Sequence, residues 1–297
     1  MASTQDLKRR VRSITNTRKV TKAMELVASA RLRRSQQRTE AMRPYADRML
    51  ELMAGVSQAA GTVRLPLLER RENVERVAII PITADRGLAG GFNAQVIRRS
   101  LALMREVQAD GQEAVWFSTG RKAASTLRFR RLNVSQSWVG FSERPAYSDA
   151  QAIAHAVSES FVNKEVDRVV IVYNAFVSAL VQKVTVRDLL PVPQDLLEKA
   201  GEAEEDATGG TPDFIYEPEP EEILARLLPV YVETELYRAL LESAASEQGA
   251  RMTAMRNASK AAGELIDSLK LAMNRARQAE ITQEILEVVA GADALSG

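Results

Sequence analysis

No proline follows Pro229, and within that tract Met252, Met255, Ser259, Ala262, Ile266, Leu269, Met273 and Ala276 alternate by three and four residues. This is the spacing of a heptad seam on one helix face, with Ser259 its polar exception. A helix over 230–293 would run roughly 95 Å. Helices of this kind are stabilised mainly by burying an apolar stripe against something else. The seam therefore requires a second long element beside it. Past Ala276 the apolar set jumps by five to Ile281, then continues at Ile285, Val288, Ala292 and Leu295. The face rotates there, as it would where a helix leaves one partner and meets another. Gly249 and Gly263 each cost about 1 kcal/mol relative to alanine inside a helix, so packing or bending must compensate.

The other end of the chain supplies the partner. From Ser3 to about Gln58 the only proline is Pro44. Leu7, Val11, Ile14, Val20, Met24, Val27, Met42, Tyr45, Met49, Leu52 and Val56 step mostly by three and four, with polar gaps near Arg18 and Arg33–Arg38. A helix over 3–58 would run roughly 80 Å. Paired antiparallel, the C-terminal helix overhangs by several turns, and an apolar overhang has little use in a monomer. The plainer reading of both stripes is an ordinary core bundle.

Between the helices the period changes. Val77–Thr83, Glu113–Ser118 and Asp167–Tyr173 read as buried strands, Asn93–Gln108 and Asp149–Asn163 as helices, and Val184–Leu190 as an edge strand. Strands alternating with helices predict a small, mostly parallel sheet. The expected fold class is thus mixed α+β and α/β: a long antiparallel coiled coil of the N- and C-terminal helices plus a small Rossmann-like α/β domain. The expected divisions are an N-terminal helix at 1–60, the α/β domain at 74–195, an acidic loop at 196–222 and a C-terminal helix at 223–297.

Charge is balanced overall but segregated. Residues 1–48 carry thirteen Lys/Arg against four acids, whereas 198–222 carry ten acids and one lysine. Such segregation points to charged partners at separate places. The acidic tract has the composition of an exposed, mobile loop. There is no cysteine, which excludes disulfide and thiolate chemistry. The N-terminus lacks the apolar core of a secretory signal. The longest uncharged apolar-rich run, Val169 to Gln182, has 14 residues against the ~20 needed to span a bilayer, so a soluble chain is expected.

One short stretch invites a catalytic reading. Asp85-Arg86-Gly87-Leu88-Ala89-Gly90-Gly91-Phe92-Asn93 lies between a predicted strand and a predicted helix. A phosphate loop needs Lys-Ser/Thr after its last glycine, where this chain has Phe92-Asn93, and the dinucleotide spacing of glycines fails as well. A tight strand-to-helix turn explains the glycines. His155, the only histidine, lies in a predicted helix with no partner for base catalysis. Thr119-Gly120-Arg121-Lys122 opens a helix, where it either caps the end or binds an anion weakly. The acids of 198–222 lack calcium-loop spacing. No cofactor and no metal is expected. The basic stretch Arg31-Leu32-Arg33-Arg34-Ser35-Gln36-Gln37-Arg38 would suit nucleic-acid phosphates. No aromatic interleaves it for base stacking, and a solvated face or a helix passing acidic protein loops explains the same charge. A basic coiled-coil scaffold for nucleic acid stands as the alternative function.

Several blocks together carry a more specific likeness. NTRKVTKAMELVASARLRRSQ (16–36), TADRGLAGGFN (83–93), YEPEP (216–220), SEQGARMTAMRNASKAAGELIDSL (246–269) and NRARQAEITQEILEVVAGADAL (274–295) resemble the gamma subunit of F-type ATP synthase, in order and over essentially the whole chain. The resemblance implies a non-catalytic rotary shaft of two antiparallel terminal helices inside a ring of alternating alpha and beta subunits. It places the α/β domain at the foot, with the epsilon subunit, on the membrane rotor ring of c subunits. It also implies a peripheral location on the cytoplasmic face of a bacterial membrane, catalysis by the beta subunits and no nucleotide at the glycine turn.

By the same resemblance, Arg277 and Gln278 match the pair that meets a beta-subunit catch loop. Met24 matches a shaft position facing a beta subunit, and Ile281, Ile285 and Val288 face the apolar sleeve of the upper bearing. Tyr216 and Glu217 match the interface with epsilon or the rotor ring. Ala89 stands where some relatives carry cysteine and the cysteine-bearing insert is absent, which excludes thiol regulation. Residues 199–212 are longer and more acidic than a minimal loop, and Asp293 adds charge near a usually apolar tip. The isolated chain is expected neither to hydrolyse ATP nor to bind it tightly. Micromolar binding by calorimetry, abolished by Gly90→Val, would contradict this.

Overall fold

In the computed structural model, which describes residues 4–61, 65–193 and 217–296, the apolar run after Glu75 forms strand β1, Arg76–Pro81. Alternate side chains of β1 go to opposite faces, and both faces are covered. Val77 and Ile79 join a core with Val96, Leu101, Leu103 and Val107 of α2, Phe92–Ala109, and with Leu127 of α3, Arg121–Phe129. Ala78 and Ile80 join a second core with Ile153, Val157 and Phe161 of α4, Tyr147–Val162. That core also takes Met49, Met53 and Val56 of the N-terminal helix α1, Thr4–Ala60, and Leu224, Leu228 and Leu236 of the C-terminal helix α5, Pro220–Ser296.

The remaining strands are β2 (Glu113–Thr119), β3 (Val134–Trp138), β4 (Arg168–Phe176) and β5 (Gln182–Leu190). The sheet order is β3-β2-β1-β4-β5, parallel except for the antiparallel edge pair β4–β5. The expected mostly parallel sheet with Val184–Leu190 in an edge strand is therefore present, and the structure shows that this edge runs antiparallel. Strand β3 was not expected: Ser135, Gln136 and Ser137 are exposed, so this edge strand lacks the apolar signature of its neighbours. At the opposite end of the strands Asp167 accepts hydrogen bonds from the Glu75 and Arg76 amides, each at 2.9 Å, and pairs with Arg71 at 2.5 Å. This staples the start of β1 to the start of β4.

Helix α5 begins earlier than expected and passes through Pro229. Pro220 suits a first helical position because its missing N–H is one the helix would not use. The bond that Pro229 withholds is the one to the carbonyl of Ala225, an exposed residue, where its loss costs least. Among the described residues no helix is long and apolar enough to cross a membrane.

The chain divides into two compact units, residues 1–28 with 252–297, and residues 29–251. In the first, Thr4 donates to the Glu280 carboxylate at 2.6 Å and Arg256 donates to Glu25 at 3.1 Å. All eight predicted seam positions from Met252 to Ala276 are buried or half-buried, while every described residue from Arg277 to Ala292 is exposed. Helix α1 corrects four expectations: Val20, Val27, Tyr45 and Leu52 are exposed rather than inward. Met24 is half-buried as expected, and the buried and half-buried positions also include Leu7, Val11, Ile14, Thr21, Glu25, Ala28, Leu32, Ser35, Thr39, Met42, Ala46, Met49, Met53 and Val56, a set that without Met24 follows one stripe. With exposed Arg18 they form an unbroken three–four alternation, and the supposed polar gaps belong to it.

Residue Gly120 links β2 to α3 with φ 86° and ψ 142°, a region that is nearly glycine-only. A Cβ there would lie 2.0 Å from the Thr83 carbonyl oxygen. Gly120→Ala is expected to cost about 2–4 kcal/mol through overpacking and backbone strain. The urea midpoint should fall with the m-value preserved, and an unchanged midpoint would refute the constraint.

Candidate functional site: a filled crevice and an exposed helix end

In open α/β sheets ligands bind where the strand order reverses, beyond the carboxyl ends of the strands. Here that crevice lies between β1 and β4, and Asp85–Asn93 forms one wall. Several of its polar groups are engaged by the chain itself, while the buried Asn174 Oδ1 has no hydrogen-bond partner among the described residues. Asn93 Oδ1 accepts from the Ala84 amide at 2.8 Å, and the buried Asn174 amide donates to the Phe92 carbonyl at 3.2 Å. The Asp85 carboxylate accepts from three backbone amides: Arg121 at 3.0 Å, Gly140 at 2.9 Å and Ser142 at 3.1 Å. The anion at the N-terminus of α3 is thus Asp85. Its partial burial works against ionisation, but the three amides outweigh burial and hold its carboxyl below the usual range. With a depressed folded-state pKa, its stabilisation is present above the ordinary carboxylate range and is lost as pH falls through the lowered value.

The crevice is closed by α5. Ala250 packs on Ala84, Ala89 and Phe92, and Arg251 donates to the Gly87 carbonyl at 3.3 Å. Gly249 makes this approach possible, since a Cβ there would sit 3.0 Å from the Ala179 carbonyl oxygen and 3.1 Å from Gln182 Nε2. The compensation for a glycine inside this helix is therefore close packing. Arg251 also pairs with Glu247 at 2.5 Å and approaches Glu143 at 3.9 Å, and Glu143 in turn faces Arg31 and Arg86. Burial raises the carboxyl pKa of Glu247, which is 1% exposed; Arg251 opposes that rise. Ionised Glu247 thus costs stability as pH climbs through its raised pKa, and the ion pair offsets the cost.

In the unit formed by 1–28 and 252–297, Arg277 and Gln278 are exposed, directly after half-buried Ala276. Arg277, Ile281, Ile285 and Val288 are spaced by four, four and three and so share one helix face. The three aliphatic side chains are 46%, 57% and 72% exposed, with Leu286 and Val289 exposed beside them. This far exceeds the scattered apolar exposure of an ordinary surface. Met24 is half-buried and adjoins Glu25, level with Arg256 and about 30 Å along the helix from Arg277. Glu217 is exposed; Tyr216 and most of the acidic tract lie outside the described residues, as does the side chain of Asp293. His155 is exposed and sits 3.8 Å from Glu159.

Arg18, Lys19, Lys22, Arg256 and Lys260 of this unit line a concavity of about 770 Å³ around a single buried acid, Glu25. Hydrogen bonds from Lys22 and Arg256 hold the Glu25 carboxyl below its usual range. The grouping is not legible in the sequence. Its basic pairs recur at i and i+4 on each helix, but only the pairing register brings the two sets together.

Because Glu247 is buried against Arg251, removing the arginine strands a charge. Arg251→Ala is expected to destabilise the chain by about 3–5 kcal/mol. Adding Glu247→Gln should recover part of the loss. A wild-type urea midpoint for Arg251→Ala would reject the pairing as a structural element.

A family model described as ATP synthase matches residues 3–295. The whole chain is 47% identical to the ATP synthase gamma chain of Rubrobacter xylanophilus, covering 99% of it. It is 45% identical to that of Desulforamulus reducens, over 99% of this chain and 100% of the relative. A solved chain from the central stalk and c-ring of the Tetrahymena thermophila mitochondrial ATP synthase superposes with a TM-score of 0.59 at 29% identity, covering 81% of this chain and 99% of that one. A chain of the Euglena gracilis mitochondrial ATP synthase gives 0.67 at 20% identity, over 98% and 94% respectively, a likeness of fold. The seam, the filled crevice and these relatives converge: the chain belongs to the ATP synthase family, among its gamma chains.

Proposed function

We propose that the chain is the central rotor shaft of an F-type ATP synthase, coupling proton-driven rotation to ATP synthesis or hydrolysis at the beta subunits. The observation that carries this is the full-length match to gamma chains, at 45–47% identity to relatives covered almost end to end. In this reading the chain is a non-catalytic subunit. The glycine turn fits that, because it lacks the phosphate-loop lysine and its Phe92 and Gly87 carbonyls accept from Asn174 and Arg251. The partners are the alpha and beta subunits, epsilon and the c-ring, with the complex peripheral on the cytoplasmic face of a membrane. A nucleic-acid scaffold finds no support: Arg9, Lys22, Arg31 and Arg48 pair with protein carboxylates.

The shaft comprises residues 1–60 and 223–297 wound as an antiparallel coiled coil, and the foot residues 74–195. The partners Thr4 with Glu280 and Glu25 with Arg256 descend on one helix as they rise on the other, which supports that winding. Its two helices differ in every layer, so each surrounding subunit meets different side chains. Nucleotide affinity then depends on shaft angle, a coupling that is reciprocal for binding. Arg277 and Gln278 serve as the grip for a beta-subunit loop, and Ile281, Ile285 and Val288 as the apolar bearing. Met24 faces a beta subunit lower on the shaft, where added charge would disturb coupling. Tyr216 and Glu217 serve the epsilon or rotor-ring interface.

Arginine offers a planar fork to a partner carboxylate and glutamine both donates and accepts. Truncating desolvated partners of this kind costs roughly 2–5 kcal/mol. Arg277→Ala with Gln278→Ala is therefore expected to leave the free chain's helical content unchanged while lowering assembly or ATPase activity of the reconstituted complex about tenfold or more. Wild-type assembly, ATPase rate and proton pumping in the double variant would reject the grip. Failure of alpha and beta subunits to co-purify with the full chain would reject the shaft itself.

A further inference from the structure

From Gly120 to Ser142 the chain carries five cations, Arg121, Lys122, Arg128, Arg130 and Arg131, and no acid. Three of them gather around Phe129 at the end of α3, and Phe129 is 88% exposed, far more than any other large apolar side chain described. Buried Ala123 and Leu127 fix the opposite face of this helix against the sheet. The helix closes with the Leu132 amide bonded to the Leu127 carbonyl at 3.1 Å and the Arg131 amide to the Arg128 carbonyl at 2.9 Å. This closure places its penultimate residue in the left-handed region, normally a glycine position. Here Arg131 occupies it at φ 58°. None of Arg128, Arg130 and Arg131 makes an ion pair among the described residues. The result is a rigid tip that presents one aromatic ring amid three unneutralised guanidinium groups.

We infer that this tip is a contact surface for an anionic lipid bilayer, with the guanidinium groups on headgroup phosphates and Phe129 entering the boundary below them. Charge complementarity argues for phosphate, since no described carboxylate of the chain neutralises these arginines. The exposed ring argues for a surface that also offers hydrocarbon, as interfacial anchors combine basic and aromatic side chains. A single aromatic without neighbours makes a poor stacking platform for successive bases. The inference rests on reading the chain as a peripheral subunit of a membrane-bound complex, and it adds a lipid contact on the α/β domain rather than on the shaft.

The test uses the full chain with vesicles of phosphatidylglycerol and phosphatidylcholine, against phosphatidylcholine alone. Arg128→Gln, Arg130→Gln and Arg131→Gln together should weaken association with anionic vesicles on the order of 100-fold. The same number of changes on the basic N-terminal helix (Arg9→Gln, Arg10→Gln, Arg12→Gln) should weaken it far less. Phe129→Trp should report insertion by a blue-shifted emission on anionic vesicles only, over the constant background of Trp116 and Trp138. Equal binding by the parent and the tip variant, or an emission from the Phe129→Trp variant that vesicles leave unmoved, would overturn the inference. So would tip-dependent binding to a single-stranded oligonucleotide without vesicle binding. Co-assembly with alpha and beta subunits, measured on the same preparations, separates failure of this surface from failure of the shaft reading.

Discussion

The seating of α5 in the crevice between β1 and β4 is the contact on which the rest of the α/β unit depends. A doubly wound sheet leaves an opening where its strand order reverses, and a long helix needs a surface for its stripe. Each solves the other's problem. Gly249 removes the Cβ that would collide with the Ala179 carbonyl, Ala250 fills the space over Ala84, Ala89 and Phe92, and Arg251 reaches the Gly87 carbonyl. The glycine-rich turn beneath this helix carries Gly90 at φ 56°, so it resembles a phosphate loop in composition while lacking the spacing.

A second constraint concerns the polarity of the buried stripe on α1. Thr21, Glu25, Ser35 and Thr39 alternate with Ala28, Leu32, Ala46 and Met49 along one helix face. Small and polar side chains contribute less burial than a leucine seam would, and buried polar groups narrow the registers available because each needs a partner. Glu25 illustrates this: two cations, Lys22 and Arg256, hold its carboxylate. The displaced aliphatics, Val20, Leu26 and Val27, remain on the surface. A shaft surrounded by other subunits has a use for such exposure; a free-standing bundle does not.

Legibility differed sharply between the two terminal helices. The eight seam positions of α5 could be read directly, because apolar side chains mark nearly every one. On α1 the largest aliphatics misled, since Val20, Val27, Tyr45 and Leu52 lie one step off the buried stripe that Thr21, Ala28, Ala46 and Met53 define. Strand β3 escaped for a related reason: an edge strand with three exposed polar residues carries no apolar alternation. The role of Asp85 was hidden as well. Its partners at Arg121, Gly140 and Ser142 are 36 to 57 residues away, and nothing local marks it as an internal anion.

By itself the sequence determined the kinds of element and the chemistry excluded: two long helices whose apolar stripes need a partner, a small sheet between them, no thiol, no phosphate-loop lysine. These follow from periodicity and residue type, which are local. Tertiary structure alone decided which face of α1 is buried, what fills the crevice beside the glycine turn, and that Arg18, Lys22, Arg256 and Lys260 surround Glu25. Those outcomes depend on register and close approach between residues far apart in the chain. Register is selected by the sum of many weak contacts across two surfaces, and no single segment carries that sum.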